Sequence, residues 1–272
     1  ATIFGSVSVE QSAVYFPVFM FALTVIAFFL MTREAFSQIV DKKHANYIGL
    51  VASFFLSVIP SFISRTIAGI PEKESIAFFL MFAAFYFFIY GWNDYKKIKS
   101  YILSFIGGIF AGLMALTWGG YGYILIILSF SILISFMFNK VNLQKMLVYF
   151  SFLIPLFLIP LIFFSRFSII GTLSSIDWML TIFTSFILIV NYFIHTRLSK
   201  YIPNKLKNYP KIVSFLYGTI ILSILGTMVQ GPRFVLQSIT RVYSILKPNP
   251  SRLIQTVAEN REPFFVEWVY NF

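Results

Sequence analysis

Cysteine is absent from all 272 residues, and histidine occurs only as His44 and His195. Disulfides and thiolate metal centres are therefore excluded, as is any metal centre built on several imidazoles. Charge is scarce as well. Asp, Glu, Lys and Arg make up 11% of the chain, against roughly a quarter in a soluble domain, and no water-facing surface can be assembled from so few. The sequence holds no Walker loop, no Gly-x-Ser-x-Gly and no His-Glu-x-x-His, so cytosolic nucleotide hydrolysis has no support.

What is present is apolar. Hydrophobic residues form 58% of the chain and the mean hydropathy is +0.83. They fall in blocks long enough to cross ~30 Å of hydrocarbon. The pattern predicts an all-α polytopic membrane protein with about eight transmembrane helices. These are Val14–Thr32, Tyr47–Ser64, Ser75–Trp92, Tyr101–Thr117, Gly122–Phe138, Leu147–Phe164, Asp177–Ile194 and Ile212–Met228. Residues 1–228 thus form a helical membrane domain, and 229–272 form an external segment. Pro17, Pro60, Pro155 and Pro160 lie in or near spans, where neighbouring helices can satisfy the freed backbone groups. The chain starts at Ala1 with no basic stretch before its first apolar block, so that block does not read as a signal peptide; a fragment or trimmed chain is expected.

The net charge of +11 does not point to nucleic acid, because the basic residues sit in short loops between spans. Loops 33–46, 93–100, 139–146 and 195–211 hold 3, 3, 2 and 5 Lys/Arg. The alternate connections 1–13, 65–74, 118–121 and 165–176 hold 0, 2, 0 and 1. The first set is predicted to be cytoplasmic. Glu10, Glu72, Glu74, Glu259, Glu262 and Glu267 then lie outside, with Asp177 at the outer interface, and chemistry is expected on that face of a multi-pass protein of the cell membrane.

Three constellations stand out. Arg65-Thr-Ile-Ala-Gly-Ile-Pro-Glu72-Lys-Glu74 is a short outer connection. Its two carboxylates, two residues apart, can turn toward one hard cation such as Mg²⁺ or Mn²⁺; a solvated turn that keeps helix ends out of the lipid accounts for the same residues. Thr256-Val-Ala-Glu259-Asn260 lies in the tail, where Glu259 either completes a site or is an ordinary exposed glutamate. Thr117-Trp118-Gly-Gly-Tyr121 is a tight turn that also reads as a hairpin in the aromatic belt.

Taken together and in this order, the three resemble the catalytic subunit of oligosaccharyltransferase, a membrane protein of the GT-C type. Arg65-Thr-Ile-Ala-Gly with Glu72-Lys-Glu74 is similar to that family's Arg-Ser-Val-Ala-Gly…Asp-x-Glu segment in its second external loop. Trp118-Gly-Gly-Tyr121 is similar to its Trp-Gly-Gly-Tyr turn, and Thr256-Val-Ala-Glu259 to the Ser-Val-Ser-Glu or Thr-Ile-x-Glu motif of its fifth external loop. The form Thr-Val-Ala-Glu-Asn looks most like archaeal members. The resemblance makes the eight spans the family's second to ninth. It places the first span and an Asp-x-Asp before Ala1, and a soluble domain with Trp-Trp-Asp-Tyr-Gly after Phe272. One position departs: Glu72 stands where the family usually has Asp.

The resemblance implies transfer of an oligosaccharide from a polyprenyl phosphate or diphosphate to asparagine in an acceptor polypeptide carrying Asn-x-Ser/Thr. It implies Mn²⁺ or Mg²⁺ on Glu72 and Glu74, and a catalytic Glu259 that engages the acceptor. Arg65, Trp118, Tyr121 and Asn260 become substrate-binding candidates, although Arg65 taken alone reads better as an interface-anchoring cation. The implied partners are membrane lipid, the lipid-linked glycan and the acceptor chain, with no nucleic acid. The chain by itself is expected to be inactive. Another polytopic glycosyltransferase with a lipid-phosphate sugar donor is the alternative enzyme. A transporter is the alternative from a different class, and the lack of Asp, Glu, Lys or Arg in mid-span weighs against it.

Overall fold

The computed structural model describes residues 8–163, 167–173, 175–194 and 210–246. Every regular element among them is helical. They divide into two units: one holds the described residues up to Ile124 together with Gln144–Phe167, the other Leu125–Leu143 and the described residues from Ser168 onward.

The first unit begins with α1, Val9–Phe36. It starts five residues before the expected Val14, because Ser8 and Gln11 form a capping box: the Gln11 N–H donates to the Ser8 hydroxyl and the Ser8 N–H to the Gln11 side chain, both at 3.2 Å. A polar first turn with satisfied amides needs no apolar residues to be helical. Asp41 caps α2, Lys42–Val58, accepting from the Lys43 N–H at 3.1 Å. The expected span Tyr47–Ser64 is not continuous. The residue before a proline is driven out of the helical region, and Ile59 is extended before Pro60, so α2 stops and a single turn, α3, follows at Pro60–Ile63.

Two further helices, α4 at Lys73–Asn93 and α5 at Ile98–Thr117, form the centre of this unit. Phe82 of α4 packs edge-on against Phe28 of α1 at 4.8 Å, and Phe87 stacks on Phe110 of α5 at 5.5 Å. A short 3₁₀ turn at Gly119–Tyr121 leads to α6, Gly122–Met137, and α7 spans Leu143–Phe163. Contact between α5 and α7 is close enough to exclude a side chain: a Cβ on Gly108 would sit 2.1 Å from the Phe152 carbonyl oxygen. Small residues permit such approach between membrane helices. Two hydroxyls then bridge the helices in opposite directions, Ser104 to the Val148 carbonyl and Ser151 to the Tyr101 carbonyl, each at 2.7 Å. Pro155 and Pro160 lie buried within α7.

The second unit contains most of α6 with α8 at Ile169–Leu173, α9 at Ile176–Phe193, α10 at Pro210–Gln230 and α11 at Phe234–Leu246. Ser129 of α6 and Thr181 of α9 share a buried hydroxyl–hydroxyl bond of 2.8 Å. Phe183 of α9 meets Phe215 of α10 edge-on at 5.4 Å. The residues after Met228 are not all loop. Gly231 takes φ +90°, which ends α10, and α11 follows.

Among the described residues six helices are long and apolar enough to cross a membrane: Val9–Phe36, Lys73–Asn93, Ile98–Thr117, Gly119–Met137, Leu143–Phe163 and Lys211–Met228. The other two expected spans are helical but shorter: α2 has 17 residues, and the apolar stretch of α9 runs from Asp177 to Phe193. The count of eight is therefore approximate, and the all-helical membrane architecture stands.

Candidate active site at the start of the fourth helix

The connection from α3 to α4 carries the first acidic motif. Gly69 adopts φ +84°, a left-handed conformation that costs an ordinary L-residue roughly 1–2 kcal/mol, so the glycine makes this turn possible. The chain then rises to Glu72, whose extended backbone places it at the N-cap of α4. A side chain there ordinarily accepts from the first free amides of the helix. Glu72 does not: its carboxylate turns back to the Arg65 guanidinium at 2.8 Å. Its carbonyl instead anchors Ser75, accepting from the hydroxyl at 2.7 Å.

Glu74 does not belong to an irregular loop, as its position between two spans suggested. Helix α4 begins at Lys73, so Glu74 lies in its first turn. It is 6% exposed. Among the described residues nothing forms an ion pair or hydrogen bond with its carboxylate. The positive end of the helix dipole favours a negative charge in that turn. The place of Glu74 in that turn, inside the acidic motif, makes it a functional candidate.

The Trp118 turn packs close by. Trp118 is extended at the end of α5, and its ring covers Gly120, where a Cβ would lie 2.2 Å from the ring. Its other face meets Phe78 at 6.1 Å. Phe78 is one helical turn beyond Glu74 on the same side of α4, and it also contacts Phe62 of α3 at 5.7 Å. These aromatics hold the motif-bearing turn and the start of α4 together. Their role is not legible from the residue pattern, because aromatic residues are frequent throughout the chain. Tyr121 is buried, 7% exposed, with its ring 6.1 Å from Phe167.

The structure therefore joins Arg65 to Glu72 directly and seats Trp118 on the helix that carries Glu74. Glu259 and Asn260 lie outside the described residues. Among the described residues there is no group of three or more His, Cys, Asp or Glu arranged to hold a metal ion. What α4 offers a hard divalent ion is two carboxylates, a donor set of the right kind but short of a complete shell.

A model of the family described as "Oligosaccharyl transferase STT3, N-terminal" matches residues 1–260. The chain belongs to the STT3 family. Relatives are recognisable over shorter stretches. The STT3 subunit of the Saccharomyces cerevisiae dolichyl-diphosphooligosaccharide–protein glycosyltransferase is 34% identical over 76 residues, 28% of this chain and 10% of its own length. The STT3A subunit of Oryza sativa subsp. japonica is 25% identical over 142 residues, 52% of this chain and 16% of its own. In structure, the chain is similar to the Archaeoglobus fulgidus oligosaccharyltransferase AglB in complex with an inhibitory peptide and a dolichol-phosphate. The TM-score is 0.71 at 19% identity, over 99% of this chain and 33% of that one. A second A. fulgidus oligosaccharyltransferase structure, a complex with Zn and sulfate, gives 0.59 at 20% identity, over 90% of this chain and 33% of that one. This STT3 chain thus spans at most a third of the relatives it matches.

Proposed function

We propose that this STT3 chain forms the membrane part of an enzyme that transfers an oligosaccharide from a polyprenyl phosphate or diphosphate to the side-chain amide of asparagine. The observation that carries the reading is Glu74, buried and without a described partner in the first turn of α4, within the segment that resembles the family's acidic motif. An amide nitrogen is a poor nucleophile, and a phosphate leaving group develops negative charge. Groups placed in advance against that charge supply much of such a rate enhancement. Glu74 would hold a Mn²⁺ or Mg²⁺ ion together with Glu72, which is paired with Arg65 here and carries one methylene more than Asp. A bound divalent ion would supply positive charge for the leaving phosphate. Arg65 would offer its guanidinium to a phosphate oxygen. Trp118 keeps the turn beside α4 in place, Glu259 engages the acceptor amide and Asn260 lies next to it in sequence.

The excess of Lys and Arg in the alternate loops supports an external or lumenal face for this site. That A. fulgidus AglB was solved with a peptide and dolichol-phosphate, and in another structure with Zn, supports an acceptor chain, a lipid carrier and a divalent metal here as well. The test is a fusion of this chain to the remainder of an archaeal relative, reconstituted with a lipid-linked glycan and an Asn-x-Thr peptide. Transfer that is lost on chelation and regained with Mn²⁺ is expected. Transfer unaffected by exhaustive chelation would refute the metal role.

A further inference from the structure

At the opposite end of α1 and α4 from Glu74 the structure holds a cavity of about 550 Å³ lined mainly by charged and polar residues. The end of α1, the start of α2 and the α4–α5 connection enclose it. We propose that it seats the phosphate-bearing headgroup of an anionic membrane lipid, with Arg33 and Lys42 holding the phosphate and the exposed face of α2 carrying an acyl chain.

Two acidic and three basic side chains line the cavity, and their commitments differ. The Glu34 carboxylate accepts from the Asn93 amide at 2.9 Å, and the Asn93 amide also reaches the Glu34 carbonyl at 3.2 Å. Asp94 is paired with Lys97 at 2.8 Å, and that bond raises Lys97 above the ordinary lysine range. Asp94 is thereby paired with a cation, and Glu34 is held by neutral donors. Arg33 and Lys42 have no carboxylate partner among the described residues. Arg33 lies over the Phe29 ring, 5.8 Å from its centre, and none of the hydrogen bonds found among the described residues uses its N–H donors. Two cations without counter-ions on a polar cavity are the arrangement that takes up phosphate. The exposed amide of Asn46, one turn after Lys42, adds a neutral donor for a headgroup hydroxyl or ester.

The surroundings select a lipid over a free phosphate. The cavity is far larger than a phosphate ion. From its rim, α2 presents Tyr47, Leu50, Val51, Phe54, Phe55 and Val58 on one side, all between 49% and 64% exposed. Their spacing is that of one helical face, and it starts one residue past Asn46. A headgroup in the cavity therefore has a continuous apolar track for its chain.

The test uses the full chain in phosphatidylcholine nanodiscs with a trace of photoactivatable phosphatidylglycerol, its reactive group in an acyl chain, and the matching phosphatidylcholine probe. The glycerol probe is expected to label α2 in clear excess over the choline probe. Arg33→Gln with Lys42→Gln should cut that excess by about fivefold for each charge removed, while Lys140→Gln, a basic loop residue outside the cavity, leaves it unchanged. Equal labelling by the two probes, measured on the unmodified chain, would overturn the proposal whether or not the variants fold. So would an excess that survives the double substitution. Loss of labelling on adding inorganic phosphate would assign the cavity to a soluble anion and overturn the lipid.

Discussion

The Arg65 guanidinium holds the Glu72 carboxylate at 2.8 Å, and this contact takes Glu72 away from the helix it should cap. Both side chains are about one-third exposed, so the pair contributes at most about 1 kcal/mol to stability. Its consequence is positional: it keeps a carboxylate out of the first turn of α4 while Glu74 remains inside.

That geometry predicts the outcome of Glu72→Asp. The shorter side chain cannot span to Arg65, but aspartate is among the best N-caps. Lost pairing and gained capping should nearly cancel. Thermal unfolding in detergent should change by less than about 1 kcal/mol. A loss well above that would mean the ion pair organises the loop, and that Glu72 is not exchangeable between Arg65 and a metal.

The glycines of the first unit separate contact from flexibility. Gly108→Ala must push α5 and α7 apart, because its Cβ would meet the Phe152 carbonyl at 2.1 Å. Overpacking of this kind costs about 1–3 kcal/mol. Gly119→Ala meets nothing within 4 Å and should be close to neutral. Equal melting temperatures for the two variants in the same detergent would contradict the packing described for α5.

The absence of cysteine makes the topology directly testable. Ala68→Cys lies in the exposed loop before α4, and Asn142→Cys in a basic loop. An impermeant thiol reagent added outside sealed cells should label the first and spare the second. The reverse pattern would turn the molecule over and remove the acidic site from the external face.

Much of the architecture is legible in the sequence because bilayer crossing demands long apolar runs, and such runs cannot be disguised. What failed to show has local causes. The start of α1 at Val9 depends on a capping box of polar residues, which hydropathy does not register. The break at Ile59 comes from one proline in an otherwise apolar block. Helix α11 is amphipathic and follows Gly231, so it reads as loop when judged by span-forming character alone. At the site, the acidic motif was visible but its arrangement was not. The spacing of Glu72 and Glu74 gives no hint that one caps a helix without bonding to it while the other is buried inside the first turn. The contact between Trp118 and Phe78 joins segments far apart in the chain, and nothing in either segment announces it.

The central claim is that Glu74 carries the chemistry of this STT3 chain. The most direct measurement compares Glu74→Gln with Glu10→Gln in the fusion with an archaeal relative, following transfer of a lipid-linked glycan to an Asn-x-Thr peptide. Glutamine keeps the shape and removes the charge, so helix α4 should persist and thermal unfolding should be nearly unchanged. Transfer should fall by about a hundredfold or more for Glu74→Gln and stay at the level of the unmodified fusion for Glu10→Gln. Full activity of a folded Glu74→Gln chain would contradict the account.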